Sequence, residues 1–317
     1  MILHRLPLTA GHVMHVEEHG NPAGLPVLLL HGGPGSGSSP LQRSFFDPDV
    51  YRILCPDQRG AGQSTPRGSI EHNTLQHLLA DLRLLRAHLQ VDRWLVVGGS
   101  WGATLALLHA LDQPDAVAGL LLRNVFLARP VDIAGFFAAA TNTQVLGWAA
   151  LQRQADAARC SLVESLADLF ATGGPAAQRE AAACWWRSEQ ILSGDDHAPT
   201  PGDAQLEVLA DRYRIQSHYL RHGCWIAPPG LLARCDALPA VPTLILQGTE
   251  DAMCPPGGAL ALAHACGARA ALRLVPGAGH DPRHPAMAEA MRQALQAYAR
   301  SRSFAAACDR STSKNAA

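Results

Sequence analysis

Four short features of this 317-residue chain could together perform acyl transfer. The first is Gly98-Gly99-Ser100-Trp101-Gly102, which fits G-x-S-x-G. It follows the apolar run WLVVGG (94–99) directly and opens the helical run WGATLALLHAL. A strand-to-helix turn this tight strains the serine backbone and requires small neighbours. The hydroxyl then projects from the rim of a sheet at a helix N-terminus, where developing negative charge is favoured. The plain alternative is a glycine-rich turn with a serine N-cap. The second feature is His31-Gly32-Gly33-Pro34-Gly35, at the end of the run PVLLL (26–30). A loop this rich in glycine lets backbone N–H groups approach a ligand oxygen. The N–H of Trp101, after the serine, and that of Gly33 are the expected oxyanion donors. Neither GK[ST] nor a full GxGxxG accompanies the loop, which excludes a phosphate-binding reading.

A serine nucleophile needs a base, and the base needs an orienting carboxylate. Fifteen histidines make chance matches easy, so position must separate them. Asp251 follows the run PTLILQG (242–248), and His280 follows LRLVP through Gly-Ala-Gly. Both are expected at C-terminal strand ends, on the rim that carries Ser100. The chain order Ser, Asp, His is that of an α/β-hydrolase. Glu250, one residue before Asp251, is the competing carboxylate, and its side chain would point elsewhere. His31 is expected to brace the oxyanion loop, and His284 to start a helix.

These residues need a frame. Residues 12–20, which alternate loosely and end in Gly-Asn-Pro, read as a hairpin strand, and apolar runs at 26–30, 51–57, 94–99, 120–127, 242–248 and 272–279 as further strands, interleaved with amphipathic helices such as 73–89, behind an Asn cap, and 285–299. That alternation predicts an α/β fold, a mostly parallel sheet covered by helices on both faces. More than a hundred residues between 127 and 242 have a different, helical character, broken at GGP (173–175) and DDHAPTPGD (195–203). They read as an inserted cap. The expected organisation is a first core part at 1–128, a helical cap at 129–235, a second core part at 236–302 and a frayed tail at 303–317.

Composition narrows the chemistry. Lys314 is the only lysine, which excludes P-loop NTPases, Schiff-base and pyridoxal enzymes, protein kinases and Ser–Lys hydrolases. A net charge of −1 gives no basic surplus for nucleic acid. The eight cysteines form no CxxC pair, and no HExxH occurs, so neither a metal nor another cofactor is expected. No apolar run reaches a membrane span and no signal core opens the chain, so a cytoplasmic protein with no membrane partner is expected.

The run HGGPG, DQRGAGQS (57–64), GGSWGATLAL (98–107), LRNVFLARP (122–130), CPP (254–256) and GAGH (277–280) resembles the proline iminopeptidase family of α/β-hydrolase serine peptidases. The resemblance spans roughly residues 13–300. It implies metal-free release of an N-terminal proline from a small peptide or aminoacyl substrate, with cap carboxylates holding the α-ammonium. One of these lies in an A-W-x-x-W-E pattern, where this chain has Trp185 and Glu189 but Ser188 in place of the second Trp. The other lies in R-I-E-x-H-Y-F, where Gln216 takes the place of the carboxylate. Asp195, Asp196 and Glu207 are carboxylates that could offset that change. Trp185, Trp186 and Tyr219 are expected as core or as pocket wall, and Trp185 and Tyr219 join Glu189 and Gln216 as expected substrate-binding residues. Two alternatives stay open: an esterase or amidase with the same triad, and a non-catalytic protein on this fold.

Overall fold

The computed structural model describes residues 1–195 and 197–308. One eight-stranded sheet organises the molecule. Its strands are β1 (Ile2–Pro7), β2 (Val13–Gly20), β3 (Leu25–Leu30), β4 (Tyr51–Pro56), β5 (Trp94–Ser100), β6 (Val117–Val125), β7 (Thr243–Gly248) and β8 (Ala271–Val275), in the order β1-β2-β4-β3-β5-β6-β7-β8. The β1–β2 and β2–β4 pairs are antiparallel and all others parallel. The helices are α1 (Pro40–Arg43), α2 (Leu75–His88), α3 (Trp101–Asp112), α4 (Pro130–Asn142), α5 (Trp148–Ala158), α6 (Leu162–Thr172), α7 (Pro175–Leu192), α8 (Asp203–Arg221), α9 (Pro256–Cys266), α10 (Pro285–Ser301) and α11 (Ala305–Cys308).

The continuous apolar runs form strands buried on both faces, because successive side chains point to opposite sides. Val27, Leu29, Leu95, Val97, Leu244 and Leu246 pack against Met287, Met291, Leu295 and Tyr298 of α10. Leu28, Leu30, Val96, Leu120 and Leu122 face α2, α3 and α9. Fully burying each such aliphatic side chain contributes about 1.5–3 kcal/mol. Helices α4–α8 fill the stretch between β6 and β7; α6 ends at Thr172 before α7 opens at Pro175, and α7 ends at Leu192 before α8 opens at Asp203, close to the two expected breaks. Their core residues Trp148, Phe170, Trp185 and Tyr213 belong to the same apolar cluster as the sheet face beneath them.

Three expectations need correction. Strand β1 had no expected counterpart; it is an edge strand in which only Leu6 is buried, so it lacks the apolar run that marks its neighbours. Helix α2 begins at Leu75 with Thr74 as its N-cap residue, because the Asn73 side-chain oxygen that could cap it accepts from Tyr219 OH, while its Nδ2 donates to the carbonyls of Arg59 and Ser69. Residues 303–308 are not a frayed end: Phe304 is buried and stacks on Tyr298, and Arg273 donates to the carbonyl of Ala307. Residues 309–317 of the expected tail, Lys314 among them, lie outside the described residues. Among the described residues, no helix is long and apolar enough to cross a membrane.

Candidate active site

Ser100 ends β5 and caps α3 with φ 56° and ψ −125°, a left-handed conformation rare for any residue with a Cβ. Such a backbone costs on the order of 1–3 kcal/mol and persists only where its surroundings enforce it. The flanking glycines do so. A Cβ on Gly98 would sit 2.2 Å from the carbonyl oxygen of Gly102, and one on Gly102 would sit 2.3 Å from that of Leu30. The turn can therefore close only with glycine at both positions. Ser100 lines a cavity of about 250 Å³ together with Gly33, His280, Arg123, Glu189 and Gln216.

Asp251 is buried beyond the end of β7. Its Oδ2 accepts from His280 Nδ1 at 2.8 Å, and its Oδ1 accepts the N–H groups of Met253 and Cys254 at 2.9 and 2.8 Å. Both oxygens are thus fully engaged and the imidazole is fixed in plane. Glu250, the competitor, is exposed. The loop carrying His280 is held through its main chain: Arg123 Nη1 donates to the His280 carbonyl at 2.8 Å, and the Asn124 amide donates to the carbonyls of Gly279 and His280. Ser100 Oγ lies 3.9 Å from Cys254 Sγ. Among the described residues no hydrogen bond joins Ser100 to His280, although both line the cavity. Asp251, Cys254 and His280 are also the one group with metal-ligand spacing among the described residues, with ligand atoms within 4.8 Å of one another. Burial pushes the Cys254 thiol well above its ordinary range and keeps it protonated, and both Asp251 oxygens are occupied, so the donor set suits a hydrogen-bonded triad better than a cation.

Gly33 and the first turn of α3 flank the serine, and a Cβ on Gly32 would lie 3.6 Å from that of Ser100. The first N–H groups of α3, starting at Trp101, have no carbonyl partner within the helix. The loop is braced from behind. His31 is fully buried; its Nδ1–H donates to the Gly32 carbonyl, while its Nε2 accepts the N–H of Gln58 at 3.0 Å. The Gln58 side chain completes the joint: its Nε2 donates to the His31 carbonyl at 3.0 Å, and its Oε1 accepts from the Trp101 indole at 2.8 Å. One amide thus ties the serine turn to the oxyanion loop. Its neighbour Arg59 is buried against Asp81, so the rest of the DQRG run is architectural.

Helices α7 and α8 supply the far end of the cavity. Glu189 is buried, and its carboxylate accepts from Arg212 Nη2 at 2.8 Å, Tyr213 OH at 3.0 Å and Gln216 Nε2 at 3.5 Å. Burial lowers the affinity of the Arg212 guanidinium for its proton, but the Glu189 charge outweighs this and holds it above its ordinary value. Helix α8 is clamped to the core: a Cβ on Gly35 would meet the Arg212 carbonyl at 2.8 Å, and Tyr219 OH donates to Asn73 Oδ1 at 2.9 Å.

Of the two places expected for Trp185 and Tyr219, core or pocket wall, the structure shows the core, and neither lines the cavity. Trp185 is fully buried and stacks on Tyr213 with ring centroids 4.7 Å apart, while Tyr219 packs on Trp101 and Trp225. Both point into the packing between helices, because their positions fall on the buried faces of α7 and α8. Phe126, Ile133, Phe136, Leu220 and Met253 form the apolar wall instead. Ser188 in place of a tryptophan is accommodated from another helix: the Trp148 indole donates to its hydroxyl at 2.6 Å. Asp195 and Glu207 pair loosely with Arg283 and Arg179 and do not reach the cavity; Asp196 lies outside the described residues. Residues unmarked by sequence reasoning are Arg123, Gln58 and Arg212. Arg123 sits on the same strand-end rim as the triad, and Arg212 lies one helical turn before Gln216, which are the signals that could have found them.

A sheet of this order, with a serine turn after β5 and an aspartate and a histidine beyond β7 and β8, is the α/β-hydrolase architecture. A family model described as alpha/beta hydrolase fold matches residues 26–282. A probable proline iminopeptidase of Leptolyngbya boryana is 37% identical over 284 residues, covering 87% of each chain. The proline iminopeptidase of Neisseria gonorrhoeae is 37% identical over 291 residues, covering 90% of this chain and 92% of the other. Among solved structures, proline iminopeptidase from Mycobacterium smegmatis matches with a TM-score of 0.62 at 18% identity, covering 94% of this chain and 99% of that one. A thermophilic esterase from Thermogutta terrifontis matches at 0.60 and 23%, covering 95% and 98%. At such identities these two speak for the fold alone. The chain belongs to the proline iminopeptidase family of α/β-hydrolases.

Proposed function

We propose that the protein is a serine hydrolase that releases N-terminal proline from peptides through an acyl-enzyme. In this reading Ser100 Oγ turns about its Cα–Cβ bond from Cys254 toward His280 and attacks the carbonyl of the first residue as His280 Nε2 takes its proton. Asp251 holds the tautomer with the proton on Nδ1 and stabilises the imidazolium. The N–H groups of Gly33 and Trp101 receive the oxyanion, each contributing a rate factor of about 10²–10³. His280 then protonates the departing amine, and a water attacks the acyl-enzyme by the same route in reverse. Residues 129–235 act as the cap that encloses the substrate, a small peptide or aminoacyl compound, and no cofactor is invoked.

The observation that carries this reading is a strained Ser100 sharing one cavity with an imidazole clamped on a buried aspartate. The test is turnover of proline β-naphthylamide by the wild type and by Ser100→Ala. The expected outcome is activity in the first and a loss of at least about a thousandfold in the second. Wild-type turnover by Ser100→Ala would refute the assignment. The esterase or amidase reading keeps the same nucleophile, and the charge balance at Glu189 favours it.

A further inference from the structure

We propose that Arg212 is a specificity-determining residue that neutralises the far end of the cavity, so that the enzyme accepts acyl donors with no positive charge there, N-acylated proline amides and esters included. This rests on the reading of Ser100 as the nucleophile. Among the described residues, the charged side chains lining the cavity are two guanidiniums, Arg123 and Arg212, and one carboxylate, Glu189, besides the imidazole of His280. Of these groups Glu189 is the one that could receive an entering ammonium, and its carboxylate is already engaged. Both Glu189 oxygens hold protein donors: Arg212 and Tyr213 on Oε2 and Gln216 on Oε1. Gln216 offers an amide dipole and no charge.

The pair is not a loose surface contact. The Arg212 main chain is pressed against Gly35 of the oxyanion loop, its side chain is only 24% exposed, and that of Glu189 is 4% exposed. The guanidinium also sits over the Tyr213 ring, 5.2 Å from its centroid. For a substrate ammonium to take Glu189, Arg212 must be left as a half-buried cation without its partner. That penalty is on the order of a hundredfold in binding or more, enough to cancel what a new ion pair returns. A substrate uncharged at this end incurs no such penalty and keeps the apolar wall of Phe126, Ile133 and Phe136.

The experiment compares kcat/KM for proline p-nitroanilide and N-acetylproline p-nitroanilide in the wild type, Arg212→Leu, Arg212→Lys and Glu189→Gln. Labelling of Ser100 by a fluorophosphonate is measured in parallel. The wild type should turn over both substrates within about tenfold of each other. Arg212→Leu, which frees the Glu189 carboxylate, should raise the free-to-blocked ratio at least tenfold, mainly through KM of the free amine. Arg212→Lys keeps the charge and should leave the ratio near the wild-type value, which separates electrostatics from lost packing. Glu189→Gln should move both substrates together. The proposal is overturned if Ser100 is labelled but the wild type rejects the blocked substrate more than a hundredfold. It is equally overturned if Glu189→Gln abolishes turnover of the free amine alone. Failure of Ser100 to label would instead remove the nucleophile on which it rests, and the proposal with it.

Discussion

Gln58 is predicted to set both the stability of the site and its rate, and Gln58→Met isolates the two effects. Methionine matches glutamine in length and fills the same volume, but it makes neither hydrogen bond. The substitution strands two buried groups: the Trp101 indole N–H and the His31 carbonyl, on residues that are both 0% exposed. Each unpaired buried group costs about 1–3 kcal/mol, so the expected loss is about 2–6 kcal/mol. The backbone bond from Gln58 N to His31 Nε2 survives, and with it the register of the loop. At about 2.1 cal/mol/K per residue of unfolding entropy, a chain of this size shifts by about 1.5 °C per kcal/mol, so the melting temperature should fall by about 3–9 °C. The tie between the serine turn and the oxyanion loop is then lost. A p-nitrophenyl ester should show kcat reduced about tenfold with KM changed little, because the oxyanion donors act on the transition state and not on bound substrate. Urea unfolding with equal m-values, read beside ester kinetics, measures both. A stability change below about 0.5 kcal/mol together with kcat within twofold of wild type would refute the argument that this amide joins the two loops.

Two further outcomes follow from the packing. Gly102→Ala places a Cβ 2.3 Å from the Leu30 carbonyl, a backbone atom that cannot swing aside, so the turn must open. Phosphonate labelling of Ser100 should be lost or slowed at least about a hundredfold in whatever fraction folds, and a variant that labels at the wild-type rate contradicts the steric account. His109 is buried, with its pKa lowered to about 4 by burial, reinforced by Arg86 and Arg83 and opposed by Asp112; its Nε2 accepts from the Trp94 indole. The unfolded chain takes up this proton from about pH 6.5 downward while the folded chain resists it, so stability is full above pH 6.5 and falls as pH drops toward 4. The loss from this group is about 2 kcal/mol at pH 5. His109→Gln retains an acceptor for Trp94 and should flatten that part of the acid limb in pH-dependent urea unfolding; an unchanged limb would show that the proton goes elsewhere.

The residues by themselves determined the architecture and marked Ser100, Asp251 and His280 as the groups on which the proposed chemistry rests. Seven strands were legible because runs such as PVLLL and WLVVGG are apolar at every position, which only a doubly covered strand tolerates. Ser100, Asp251 and His280 were legible because each stands just past such a run, and strand ends on one rim converge whatever lies between them in sequence. Edge strand β1 was hidden by having only one buried side chain. What faces the cavity at its far end was decided by tertiary structure alone. Trp185 and Tyr219 turned into helix packing, and the Glu189 charge came to be shared with Arg212 from a neighbouring helix. A helix carries side chains all round its axis, so composition does not tell which face meets a cavity; the crossing of α7 on α8 and the clamp of α8 on Gly35 do. Partnership between charges distant in the chain depends on angstrom-scale distances, and only the packed fold sets those.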